Sequence, residues 1–282
     1  MTMDSDERAL LAETFRKTMT AASGQVLDLA LAQLGWPDLL AEVPGVAIPM
    51  VFGLLGETGA QAPLLNDVLL NAAGRRAGGT LPLPYTGGSW VVWERTDRPG
   101  TVLDGDLPLH GIPELPVPGA HVPAGSVAAD HVPDGEPVGL AAGRRALGWW
   151  LTGTSRAMLG LARSHVLDRR QFGRSLASFQ AVRHRLAETL VAIEGAEAAL
   201  LAADGDLGSL LAKAAAGQAA LTAARHSQQV LGGIGFTAEH ALHRHIKRVL
   251  VLDGLLGSTQ DLIRAAGAQL RKEGSAPRLV QL

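Results

Sequence analysis

Apolar residues recur at helical spacing along two separate stretches of the chain. In residues 4–79 they lie three or four positions apart, as Leu11, Phe15 and Met19 do, and this period predicts several amphipathic helices. A Gly-Trp-Pro sequence at 35–37 and a Val-Pro-Gly-Val sequence at 43–46 interrupt the pattern. We expect a helix break at the first and a loop at the second.

The second stretch predicts longer helices, at 137–167, 177–203 and 209–231. Two further helices are expected from about Thr237 to Leu270. An Asp-Gly-Asp sequence at 204–206 is expected to separate the second helix from the third, which is rich enough in alanine and glycine to admit a close neighbour. Short connections favour antiparallel neighbours, so this part of the chain is predicted to form a four-helix-type bundle.

The residues between the two stretches, 81–136, are rich in proline and glycine. Short β-type runs stand at 89–93, 100–103 and 114–117, with a turn-forming Asp-Gly-Asp at 104–106. At roughly 55 residues this segment is small for an independently stable domain. We therefore predict a mainly α fold with a small β segment: an N-terminal helical domain at 1–80, a reduced middle β domain at 81–136 and a C-terminal helical bundle at 137–282.

Composition narrows the classes of function. The chain has 282 residues, 47% of them hydrophobic, which is enough for a sizeable core. A formal net charge of −2 gives no electrostatic reason to expect nucleic acid or an anionic membrane as a partner. The absence of cysteine from the sequence excludes thiolate chemistry. The polar, acidic start of the chain and the lack of an apolar run of about 18 residues predict neither a signal peptide nor a membrane span, so a cytoplasmic protein is expected.

Two motifs carry candidate chemistry. The first is Arg-Arg-Gln-Phe-Gly at 169–173, followed by Phe-Gln at 179–180; the second is Gln-Val-Leu-Gly-Gly-Ile-Gly-Phe-Thr-Ala-Glu at 229–239. A guanidinium pairs well with a pyrophosphate, and bare glycine backbone lets a ligand approach closely. Taken singly, the arginine also suits a helix end, the phenylalanine an ordinary core, and the glycines a helix C-cap with a tight turn.

With these motifs in this order, the chain resembles the acyl-CoA dehydrogenase family, whose architecture is also a helical part, a β part and a helical bundle. Looser matches lie at 34–36 and 54–59. The resemblance implies an FAD-dependent α,β-dehydrogenation of an acyl-CoA thioester, with electrons passed to an electron-transfer acceptor. It also implies contacts to the pyrophosphate and adenosine half of an FAD held mainly by a neighbouring subunit. It assigns these contacts to Arg169, Gln171, Phe172, Gln229, Gly232 and Gly233.

The family's reaction needs a carboxylate that removes the α proton. The resemblance places this base at one of two positions, and in this sequence they hold Leu256 and Gly143, neither of which can accept a proton. Asp253, one helical turn before Leu256, is the nearest substitute and our candidate catalytic residue. Its alternative interpretation is a helix cap beside Gly254.

The reduced β segment and the lack of a base at the two expected positions suggest that this chain acts together with a second subunit that supplies the base. The chain resembles the short, degenerate subunits of heteromeric acyl-CoA dehydrogenases in actinobacterial steroid catabolism, which act with a longer partner subunit as heterotetramers. The resemblance suggests a steroid side-chain CoA ester as substrate. Two alternatives stay open: a self-sufficient homomer that uses Asp253 as base, and a non-catalytic scaffold. No metal site is expected, because the spacing of His240, His243 and His245 does not place all three on one helical face.

Overall fold

The computed structural model describes residues 4–98, 100–101, 107–112 and 139–275. Five helices come first: α1 (Ser5–Ala21), α2 (Gly24–Gln33), α3 (Trp36–Glu42), α4 (Pro44–Thr58) and α5 (Leu64–Ala72). A small sheet follows, formed by β1 (Pro82–Tyr85), β2 (Ser89–Trp93) and β3 (Leu109–Ile112). The remaining elements are α6 (Leu140–Asp168), β4 (Arg170–Gln171), β5 (Arg174–Ser175), α7 (Gln180–Leu201), α8 (Gly205–Leu231), α9 (Leu242–Gly254) and α10 (Thr259–Glu273). The predicted mainly α fold with a small β segment is confirmed.

The two predicted interruptions of the N-terminal helices have different outcomes. The break at Gly35 is confirmed, because this residue adopts a left-handed backbone (φ 84°) between α2 and α3. The loop expected at 43–46 is wrong, since only Val43 separates α3 from α4. Pro44 begins α4, where a missing N–H costs nothing because the first turn has no acceptor for it.

Glycines join the N-terminal helices to the bundle. A Cβ atom on Gly56 of α4 would collide with the backbone of Thr154 in α6, and one on Gly153 would collide with the carbonyl of Gly53. The two helices therefore cross with their backbones in contact. Beside this crossing, the buried ring of Trp150 packs edge-on against Phe52, with ring centroids 5.7 Å apart. One continuous core thus runs from the N-terminal helices into the bundle.

The bundle follows the predicted order of helices, with small shifts at their ends. Buried alanines of α8, among them Ala216, Ala220 and Ala223, let α6 and α7 pack closely, as its composition predicted. The predicted separation of two helices near the Asp-Gly-Asp sequence at 204–206 is confirmed, but only Asp204 of that sequence lies between α7 and α8. Helix α8 begins at Gly205, whose positive φ of 58° starts the helix immediately after Asp204.

The sheet is antiparallel, in the order β1-β2-β3, with Leu83 opposite Val91 and Trp93 opposite Leu109. The strand predicted at 89–93 is confirmed as β2, whereas β3 was not predicted. The run at 114–117 and the turn at 104–106 lie outside the described residues, as does half of the run at 100–103. In the described parts of the chain, no helix combines the length and apolar content required to cross a membrane.

Candidate functional site

The first motif folds into a two-residue hairpin at the end of α6. Phe172 and Gly173 form the turn between β4 and β5, with φ of 52° and 77°. Both signs fit a type I′ turn, but a left-handed backbone is uncommon for an aromatic residue. The Phe172 side chain is 89% exposed, and its ring meets Phe179 edge-on at 6.2 Å between centroids. The ordinary-core interpretation of Phe172 is therefore wrong.

Polar and cationic residues lie next to Phe172 along the chain. Arg169 follows the last residue of α6 and is exposed, as is Gln171. The guanidinium of Arg174 lies 4.1 Å from the centroid of the Phe179 ring, a cation–π contact. The hairpin thus exposes the apolar ring of Phe172 in a stretch of the chain that also contains several arginines.

The second motif ends α8. Gly232 has a φ of 66° at the helix C-terminus, so the C-cap interpretation holds for this residue. Gly235 is needed for packing, since its Cβ would lie 2.9 Å from the carbonyl oxygen of Gln228. Neither the backbone conformation nor the packing requires a glycine at position 233. Its φ is not left-handed, and apart from its neighbours along the chain no atom of the described residues lies within 4 Å of the position of a Cβ. The fold does not explain Gly233, which leaves its backbone open to approach from outside.

The two motifs lie at the same end of the bundle. Helices α6 and α8 run side by side, and the Ser227 hydroxyl near the end of α8 donates to the Met158 carbonyl at 3.3 Å. Partial burial lowers the pKa of His165 in α6, and the nearby charges of His240 and Arg169 lower it further. Gln229, Gly232 and Gly233 are exposed at this end. The structure therefore brings all six residues assigned to FAD to one exposed end of the bundle.

The two positions of the family's base converge on one point. Leu256 is buried, and its Cδ1 atom lies 2.7 Å from the ideal position of a Cβ on Gly143. The Leu256 amide donates to the Pro84 carbonyl at 2.8 Å, and its carbonyl accepts from Arg144 Nε at 3.3 Å. These contacts hold Leu256 in a left-handed backbone with φ of 55°. Neither position supplies a proton acceptor.

A cavity of about 650 Å³ opens beside Leu256, and its lining includes Tyr85, Trp90, Arg144 and Asp261. Among the described residues that line it, Asp261 is the one carboxylate. The Ser258 hydroxyl donates to it at 2.6 Å, and this hydrogen bond lowers the pKa of the Asp261 carboxyl below its usual range. Asp261 completes the capping box of α10 and is a weaker base than an ordinary aspartate.

Asp253 does not line this cavity. Its carboxylate accepts hydrogen bonds from the Thr259 hydroxyl at 2.6 Å and from the Thr259 amide at 3.2 Å. It therefore binds the first residue of α10, whose N-cap is Ser258, so its role is to join α9 to α10 rather than to cap either helix. A Cβ on Gly217 of α8 would collide with this carboxylate, so the pocket around it is tight.

Sequence reasoning missed Lys213, a fully buried lysine of α8. Its ammonium donates to the carbonyls of Asp253 at 2.9 Å and Gly257 at 2.6 Å, and so holds the turn that carries Leu256. Burial lowers the pKa of Lys213 to about 8. Its signal in the sequence is that it is the one charged residue between Asp206 and Arg225, in the alanine-rich part of α8. Among the described residues, no cluster of three or more potential ligands could hold a metal ion.

Residues 138–270 match the family model of the acyl-CoA dehydrogenase C-terminal domain. The chain is 33% identical over 220 residues to acyl-CoA dehydrogenase FadE34 of Mycobacterium tuberculosis, in an alignment that covers 73% of this chain and 29% of that protein. The chain thus spans less than a third of the length of this curated relative.

Two solved structures share the fold over nearly the whole chain. A variant of the Tcur3481-Tcur3483 steroid ACAD superposes with a TM-score of 0.63 at 18% identity, covering 96% of this chain and 99% of that one. The ChsE4-ChsE5 complex from Mycobacterium tuberculosis superposes with a TM-score of 0.62 at 18% identity, covering 99% of this chain and 100% of that one. At such identities the likeness shows the fold alone.

Proposed function

This chain belongs to the acyl-CoA dehydrogenase family, and on that premise we propose that it is the short subunit of a heteromeric, FAD-dependent acyl-CoA dehydrogenase. It contributes the adenosine and pyrophosphate side of a flavin site that it shares with a longer partner chain. One observation carries this proposal: the residues assigned to FAD are exposed at one end of the bundle, while the positions of the base hold Leu256 and Gly143.

The exposed groups fit one side of an FAD molecule. Arg169 offers a guanidinium to a pyrophosphate, Phe172 offers a raised ring to an aromatic group, and Gly233 offers open backbone. These groups are exposed in the described part of the chain, and in this proposal the longer partner chain covers the other side of the cofactor. When bound, FAD would accept the hydride that leaves the β carbon of the substrate. The residues of this chain would bind and orient the FAD.

A partner supplies the base in this proposal. The described lining of the cavity beside Leu256 has one carboxylate, Asp261, which accepts hydrogen bonds from Ser258 and Thr86. The alternative of a self-sufficient homomer that uses Asp253 has less support, because Thr259 occupies that carboxylate and it does not line the cavity. A non-catalytic scaffold would explain the missing base but leaves the open backbone of Gly233 without a role.

The names of the two structural neighbours support the assembly and the substrate class. ChsE4-ChsE5 is a complex of two proteins, and Tcur3481-Tcur3483 is a steroid ACAD. By analogy, this chain pairs with a longer acyl-CoA dehydrogenase subunit in the cytoplasm, acts on a steroid side-chain CoA ester and passes electrons to an electron-transfer acceptor.

Purification of the chain with and without its longer homologue tests the proposal. The chain alone should be colourless, and the co-expressed pair should be yellow and should oxidise CoA esters with an artificial electron acceptor. Release of the flavin by denaturation gives the ratio of FAD to each chain. A homomer that is fully loaded with FAD and active would overturn the proposal.

A further inference from the structure

A second cavity, of about 150 Å³, lies between the C-terminal end of α4 and the first half of α9. Within the described part of the chain, it shares no lining residue with the cavity beside Leu256, and none of its lining residues is acidic. The lining consists of two threonines, three cationic or imidazole side chains and two small residues: Thr58, Thr154, Arg244, His245, Arg248, Gly59 and Ala241.

Hydrogen-bond donors converge on this cavity from α9. Arg248 is only 4% exposed and donates to the Ala60 carbonyl at 3.0 Å, so its charge offsets the negative end of the α4 dipole. The Arg244 guanidinium makes no hydrogen bond or ion pair with any residue that the structure describes. His245 packs against Gly59, where a Cβ would lie 3.2 Å from the imidazole Cε1 atom. The described lining of this cavity therefore includes two guanidinium groups and no carboxylate, a composition that favours an anion.

The hydroxyl groups of two threonines also line this cavity. The Thr58 hydroxyl donates to the Leu54 carbonyl at 2.7 Å, and the Thr154 hydroxyl donates to the Trp150 carbonyl at 2.9 Å. Each hydroxyl uses its one hydrogen in these bonds, and the Thr58 oxygen also accepts from the Ala60 amide at 3.3 Å, so each oxygen keeps at least one lone pair with which to accept from a ligand. The matching ligand is an anion that accepts several hydrogen bonds and also donates one.

We propose that this cavity binds a hydrogen phosphate group. Near neutral pH that group carries a negative charge, acceptor oxygens and one O–H, whereas sulfate carries no proton to donate. Arg244 and Arg248 bind the charged oxygens, and the threonine oxygens accept the remaining hydrogen. This proposal does not depend on the proposed flavin site, because the isolated chain contains the whole cavity.

The test is a titration of the full chain with inorganic phosphate at constant ionic strength. Calorimetry measures the binding, and the thermal midpoint of unfolding measures the stabilisation. Phosphate should bind saturably and should bind several-fold more tightly than sulfate, with chloride inactive. Arg244→Gln should weaken phosphate binding about tenfold, the effect of losing one charge-assisted contact. The control, Arg271→Gln, removes an exposed arginine of α10 and should change nothing.

A second variant tests the acceptor side. Thr58→Val removes one oxygen and should reduce the preference for phosphate over sulfate without abolishing anion binding. Displacement of phosphate by glycerol 3-phosphate would show that the site accepts a phosphate ester, and no displacement would show that it is specific for the free ion. Equal binding of sulfate and phosphate, or equal effects of Arg244→Gln and Arg271→Gln, would overturn the proposal.

Discussion

Leu256 occupies the space beside Gly143, with its Cδ1 atom 2.7 Å from where the Cβ of a side chain at that position would stand. The two residues are far apart in the sequence, one near the start of α6 and the other just after α9. Their contact means that a carboxylate at either position would reach the same point of the cavity. In this chain apolar atoms fill that point, so the two positions that the resemblance assigns to the base lie at one place rather than at two separate sites.

Asp253→Asn should leave the turnover of the two-subunit complex within about twofold of the wild type. An asparagine oxygen can still accept from Thr259, and the carboxylate has no catalytic task in our proposal. Steady-state assays with a CoA ester check this. Loss of turnover with the flavin retained would instead identify Asp253 as the base. Asp253→Ala should lower the free energy of unfolding by about 1–2 kcal/mol, because it removes the acceptor of two hydrogen bonds from Thr259.

Phe172→Asn should weaken FAD retention in the complex about tenfold while leaving the isolated chain as stable as before. Asparagine tolerates the left-handed backbone of the hairpin turn, and the exposed phenylalanine ring contributes little burial. Flavin release during dilution and the thermal midpoint measure the two effects. A lower midpoint with unchanged flavin retention would show that Phe172 serves the fold instead.

Gly153→Ala should destabilise the protein by about 1–3 kcal/mol, because its methyl group would collide with the backbone of α4. The matched control is Gly160→Ala in the same helix, where no atom of the described residues lies within 4 Å of a Cβ. That variant should gain about 0.5–1 kcal/mol from helix propensity. Urea unfolding of both variants measures the difference, and equal effects would contradict the backbone contact between α4 and α6.

Lys213 should make stability depend on pH. Burial lowers its pKa from 10.5 to about 8, so between these values the unfolded chain holds a proton that the folded protein lacks. Stability from this group therefore rises with pH across that window. The free energy of unfolding of wild type minus that of Lys213→Met should be larger at about pH 10 than at about pH 7.5. A difference that is flat or falls with pH would show that the buried ammonium keeps its ordinary pKa.

The helices could be predicted because the spacing of apolar residues is a local property. The start of α4 at Pro44 was missed, since proline and glycine favour a turn and the first turn of a helix alike. The surface position of Phe172 was left open for a similar reason: a phenylalanine is usually buried, and only the hairpin turn places its ring outside.

The sequence by itself determined the order of the helical and β parts, the two motifs assigned to FAD and the absence of a carboxylate at positions 143 and 256. Each depends on residues that are neighbours along the chain or on the identity of a single residue. Only the tertiary structure decided that Gly143 meets Leu256, that Asp253 binds Thr259 and that Arg244 faces a cavity with Thr58. Gly143 and Leu256, like Arg244 and Thr58, are distant in the sequence, so only the packing of the helices brings each pair together. The pairing of Asp253 with Thr259 depends on the conformation of the turn between α9 and α10.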